Sequence, residues 1–124
     1  MKKDFKQLLA FKKAYDLAMD IFELSKSFPK EETYSLTDQI RRSSRSVCAN
    51  LAESYRKRKY PLHFISKLTD SDMENSETMV WIDFAYDCKY IEEEVYYELY
   101  YKNDEIGKLI NFMINNPKKF SQKL

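Results

Sequence analysis

At 124 residues, with 33% charged and 44% apolar side chains, the chain carries enough apolar material for one core and too much for a disordered segment. It reads as a single domain over residues 1–124. One glycine and three prolines leave few sharp turns for a multi-stranded sheet. They also exclude phosphate-loop and nucleophile-elbow enzymes, since neither G-x-x-x-x-G-K-S/T nor G-x-S-x-G can be written with one glycine.

Four segments repeat apolar residues every three or four positions, the spacing of a helix face. In the first, Phe11, Ala14, Ala18, Ile21, Ser25 and Phe28 share a stripe, and Pro29 stops it because the residue before proline is pushed out of helical geometry. The second starts near Ser35, where Ser35-Leu36-Thr37-Asp38 resembles a capping box with a shortened acid. Leu36, Ile40, Val47, Leu51 and Tyr55 form its apolar face, and the cations Arg56 to Lys59 suit the negative end of its dipole.

Pro61 fits the first turn of a third helix, where a missing amide hydrogen costs little. This helix reaches about Cys88 and has two stripes: Phe64, Leu68, Ser71, Asn75, Met79, Ile82 and Tyr86 on one, and Met73, Val80 and Phe84 on the other. Two stripes predict contact with more than one neighbour. Glu92-Glu93-Glu94 supplies the acidic start of a fourth helix, Val95, Leu99, Ile106, Ile110 and Met113 its core face, and Asn115-Asn116-Pro117 its end. Four amphipathic helices on short connections predict an all-α, up-down four-helix bundle.

The net charge of +1 hides a segregation along the chain. From Arg41 to Lys67 eight basic residues face one acid, Glu53, whereas from Thr69 to Glu105 twelve acids face only Lys89 and Lys102. Such a distribution suits an anionic partner, head-to-tail contact between copies, or two solvated faces. Cys48 and Cys88 form no C-x-x-C pair and His63 stands alone, so neither a metal nor any other cofactor is expected, and no Glu-x-x-His di-iron motif occurs. No apolar run approaches the ~20 residues of a membrane span, and a bacterial cytoplasm is the expected compartment.

The blocks Leu36-Thr37-Asp38-Gln39-Ile40-Arg41-Arg42-Ser43-Ser44 and Ala49-Asn50-Leu51-Ala52-Glu53-Ser54 resemble a signature of the proteins encoded in intervening sequences of 23S rRNA genes. Glu77-Thr78-Met79-Val80-Trp81-Ile82-Asp83-Phe84-Ala85-Tyr86-Asp87-Cys88 resembles the pattern of one branch, and Glu105 to Leu109 and Asn116 to Phe120 resemble its last helix and tail. The chain departs in having Lys89 where that branch often has glycine, and Glu92 where a capping serine or threonine is common. The resemblance implies a bundle that assembles into a ring, typically a homopentamer, with no settled biochemical role.

Three groups are candidates for function, and none forms a catalytic constellation, so no enzyme is expected. Arg41, Arg42, Arg45, Arg56, Lys57, Arg58 and Lys59 are candidates for contact with RNA or DNA, with Arg41, Arg45, Ala49, Ala52 and Arg56 read as lying roughly opposite the core face. The same face also reads as a solvated surface or an oligomer contact. Met73, Val80, Phe84, Tyr96 and Tyr100 are candidates for self-association, since aromatic residues with a polar tip are favoured at interfaces. Asn50, Glu53 and Glu77 are expected to form a buried polar network that sets helix register. Gly107, inside the fourth helix, is expected to admit a neighbouring helix.

Overall fold

Each periodic segment is a helix in the computed structural model, which describes residues 4–120: α1 (Leu9–Ser25), α2 (Leu36–Arg56), α3 (Pro61–Asp87) and α4 (Glu93–Asn115). No strand occurs among the described residues. α1 packs on α2, α2 on α3, α3 on α4 and α4 back on α1, so the helices close a square. Arg41 of early α2 meets Ser25 at the end of α1, while Glu53 of late α2 meets Lys67 of early α3. Neighbours therefore run antiparallel, the up-down arrangement that short connections impose.

The predicted apolar faces meet in the middle. Ile21, Ile40, Leu51, Phe64, Leu68, Ile82, Ile106 and Ile110 are all enclosed, each contributing roughly 1.5–3 kcal/mol of transfer free energy. Between them runs a polar seam. Ser71 donates to the Val47 carbonyl at 2.8 Å, and Thr78 lies 2.9 Å from the Ser43 hydroxyl, so small side chains bring α2 and α3 close together. Asn75 and Asn103, both buried, join α3 to α4: the Asn75 amide donates to the Asn103 carbonyl at 3.0 Å, and the Asn103 amide donates to the Asn75 carbonyl at 2.9 Å and to Asn75 Oδ1 at 3.1 Å.

Gly107 faces this seam, where an added Cβ would lie 3.4 Å from Asn75 Nδ2. The close approach expected of it is thus to an asparagine amide. The capping box is not formed as expected. Ser35 turns its hydroxyl back onto Glu32, whose carboxylate also accepts from the Leu36 amide at 3.4 Å, while Asp38 instead lies 3.7 Å from Arg42. Glu32 is held below its ordinary carboxylate range by Ser35 and Tyr90, and Tyr90, donating to it at 2.8 Å, is pushed up to about 12.

Lys89 has φ 65°, the left-handed conformation. It closes α3 with two reversed hydrogen bonds, the Tyr90 amide onto the Ala85 carbonyl at 2.8 Å and the Lys89 amide onto the Tyr86 carbonyl at 2.9 Å, a pattern that favours glycine at this position. A side chain there costs roughly 1–2 kcal/mol, partly offset by the larger unfolded-state entropy of glycine. Lys89→Gly is therefore expected to raise the melting temperature by a few degrees, as thermal unfolding followed by circular dichroism would read; an unchanged or lower value would show that the turn carries no strain.

Candidate nucleic-acid and self-association surfaces

Antiparallel packing gathers the start of α1, the end of α2, the start of α3 and the end of α4 at one end of the bundle. Residues 4–13, 50–70 and 108–120, which make up this end, hold eleven Lys and Arg against three Asp and Glu. Arg56, Lys57 and Lys59 are exposed and form no ion pair with any described residue. Arg58 is half-buried instead, with its guanidinium 3.5 Å over the Tyr55 ring and its Nε donating to the Tyr55 carbonyl at 2.8 Å, so it closes α2. Lys6, Lys12, Lys108 and Lys119 join the same end from segments far away in sequence. Reading α2 alone could not find them, because only the bundle topology brings the four segments together.

The other three candidate arginines stand apart, half a helix or more up α2. Arg41 donates to Ser25 Oγ at 2.8 Å and to the Phe22 carbonyl at 3.4 Å, and it lies 4.9 Å over the Phe22 ring. Arg45 sits 5.6 Å over the same ring, and Arg42 is exposed beside Asp38. Arg41 is therefore a strut between α1 and α2. The expectation that Arg41, Arg45, Ala49 and Ala52 lie opposite the core is corrected by this packing: they border α1, because α1 covers the flank of α2 next to its apolar face.

Where Ala49 and Ala52 meet α1, small residues leave a groove of about 400 Å³ lined by Phe11, Tyr15, Ala18, Met19, Arg45 and Cys48 as well. Burial pushes the Cys48 thiol up to about 11, which leaves it protonated and unreactive at neutral pH. On α3, Met73, Val80 and Phe84 are exposed, at 66%, 47% and 53%, forming an apolar ridge beside half-buried Trp81. Tyr96 packs on the core rim and donates to Asp83 at 2.6 Å, whereas Tyr100 is exposed.

Asn50, Glu53 and Glu77 do not form the expected network within the chain. The Asn50 amide donates to the Ser46 carbonyl of its own helix, Glu53 is exposed and pairs with Lys67 at 3.2 Å, and Glu77 accepts from the Trp81 indole at 3.3 Å. The buried polar role falls to uncharged side chains, Ser43, Ser71, Asn75, Thr78 and Asn103, which reach a partner without needing to desolvate a carboxylate. His63 is exposed and meets Tyr60 edge-on. Among the described residues no three His, Cys, Asp or Glu side chains are placed to hold a metal ion, and no helix is long and apolar enough to cross a membrane.

A four-helix bundle with a basic end, an apolar ridge and an apolar groove defines an all-helical domain with charged and apolar surfaces on several sides. The family profile described as 23S rRNA-intervening sequence protein matches residues 6–112, and the chain belongs to that family. It is also similar to a crystal structure from Bacteroides thetaiotaomicron, a protein of unknown function from the S23 ribosomal protein family. The two share 29% identity over 86% of this chain and 96% of the other, with a TM-score of 0.78. A comparison with curated proteins found no match.

Proposed function

We propose that this chain is a non-catalytic subunit that assembles side by side into a closed ring and holds nucleic acid on its basic end. The observation that carries the nucleic-acid reading is the excess of eleven cations over three acids at one end, with Arg56, Lys57 and Lys59 exposed and unpaired. Contacts of this kind neutralise phosphates without reading bases. A ring multiplies them, which turns weak contacts into useful avidity.

Two unlike apolar surfaces support ring closure. A two-fold dimer needs one self-complementary patch, whereas rings need two different surfaces that fit each other. The ridge of Met73, Val80 and Phe84 and the groove between α1 and α2 are two such unlike surfaces. The family resemblance points to five subunits.

Fluorescence anisotropy with a single-stranded RNA and a DNA duplex tests the nucleic-acid reading. Affinity is expected to fall with salt at a log-log slope of about −0.7 per phosphate on single strands and about −0.9 on duplex DNA. The variant Arg56→Glu, Lys57→Glu, Lys59→Glu is expected to lose binding at least tenfold while keeping its helix content, since all three side chains are exposed. Arg58 is left intact because it closes α2. Absence of binding at low salt, or a variant that binds as well as the parent, would leave a protein scaffold without nucleic acid as the reading.

A further inference from the structure

The end opposite the basic one has the reverse character. Residues 21–42 and 78–100, which form it, hold ten Asp and Glu against five Lys and Arg. Two helix N-termini and two C-termini meet at each end, so their dipoles largely cancel and the side-chain surplus stands as net charge. Glu93, Glu94 and Glu98 are exposed and make no ion pair with any described residue.

Beside these carboxylates lies a continuous run of tyrosine rings. Tyr86 and Tyr96 stack at 4.6 Å, Tyr96 touches Tyr97 at 5.3 Å and Tyr100 at 6.3 Å, and Tyr97 and Tyr101 lie 6.4 Å apart. Tyr97 and Tyr101 are 47% and 66% exposed. Acid-flanked rings repel a phosphate backbone and attract cations, which favour the faces of aromatic rings. The opposite end of the same chain supplies such cations, and Arg58 over Tyr55 already shows a guanidinium on a tyrosine ring.

We infer that copies of this chain also associate end to end, the basic end of one seated on the tyrosine-and-carboxylate end of the next. The two ends differ, so the contact is heterologous and does not close on itself along the bundle axis; it grows as a stack. This contact is separate from side-by-side assembly through the apolar ridge; it does not require nucleic acid, which would compete with it for Arg56, Lys57 and Lys59. The two associations respond to salt in opposite ways: charge pairing is screened, while apolar contact persists.

Sedimentation velocity tests the stack with the intact chain and two charge-reversed variants, Glu93→Lys, Glu94→Lys, Glu98→Lys at the acidic end and Arg56→Glu, Lys57→Glu, Lys59→Glu at the basic end. The parent is expected to at least double its mass at about 0.02 M salt relative to about 0.5 M, where the Debye length is shorter than a side chain. Each variant alone is expected to stay at the high-salt mass, because the lysine variant leaves seven acids against eight cations at the acidic end, and the glutamate variant leaves eight cations against six acids at the basic end. Mixed in equal amounts at low salt, the two variants are expected to associate again, since each then meets its opposite. Tyr97→Ala with Tyr101→Ala is expected to weaken low-salt association about tenfold and leave the high-salt particle unchanged. A parent with the same mass at both salt concentrations, or mixed variants that stay apart, would overturn the inference whatever the high-salt particle proves to be.

Discussion

Val80→Asp combined with Phe84→Asp is expected to release folded monomers of 15.0 kDa from an assembled parent, as light scattering after size exclusion would measure. Within one chain the two side chains are 47% and 53% exposed, so aspartate at these positions meets water and leaves the bundle intact. In an apolar contact between subunits the same carboxylates lose their hydration without gaining a partner. An unpaired buried charge costs about 3–5 kcal/mol, and each 1.4 kcal/mol is a factor of ten in affinity. Dissociation should therefore strengthen by at least two orders of magnitude, with the circular dichroism spectrum unchanged. A parent that is monomeric at micromolar concentration sinks self-assembly itself. A variant that stays assembled moves the contact away from the α3 ridge.

The second large effect concerns the core. Asn103→Ala is expected to cost about 2–4 kcal/mol, because it strands the buried Asn75 Oδ1 without a donor and leaves a void between α3 and α4. That corresponds to a fall in melting temperature of roughly 10 °C or more for a chain of this size. Asn75→Leu with Asn103→Leu should cost less than the sum of the two single changes, since neither then leaves an unmatched polar partner. Asn50→Ala, which removes only a bond within its own helix at the half-exposed flank of α2, is expected to stay within about 0.5 kcal/mol. Equal losses at Asn50 and Asn103 in chemical denaturation would refute this placing of the structural network.

The contrast between Asn50 and Asn103 shows where one-dimensional reading ran out. Periodicity identified the enclosed faces, with Ile40, Leu51, Leu68, Ile82, Ile106 and Ile110 on predicted core stripes. It also set Ser71 and Asn75 on the core stripe of α3, where both are buried. It did not identify their partners. Whether a polar residue on the edge of a stripe points inward depends on the angle at which the neighbouring helix arrives, and that angle is not written in the helix's own period.

The candidate surfaces divided in the same way. The exposed ridge of Met73, Val80 and Phe84 was legible because a second apolar stripe on one helix exceeds what one core can absorb. The seven basic candidates looked like one patch because they lie on one helix and the turn that follows it, yet the α1 seam takes up Arg41, and Arg58 turns back to close α2.

What the sequence determined by itself was the set of local decisions: four helices, their breaks at Pro29, Pro61 and Pro117, the core faces and the family likeness. These rest on interactions within about four residues, which a linear pattern records directly. Only the tertiary structure decided which charges share an end, which arginines are free and which polar groups pair. Each of these depends on residues tens of positions apart, such as Asn75 with Asn103 or Arg41 with Ser25, brought within 3 Å only when four antiparallel helices bury their apolar faces together.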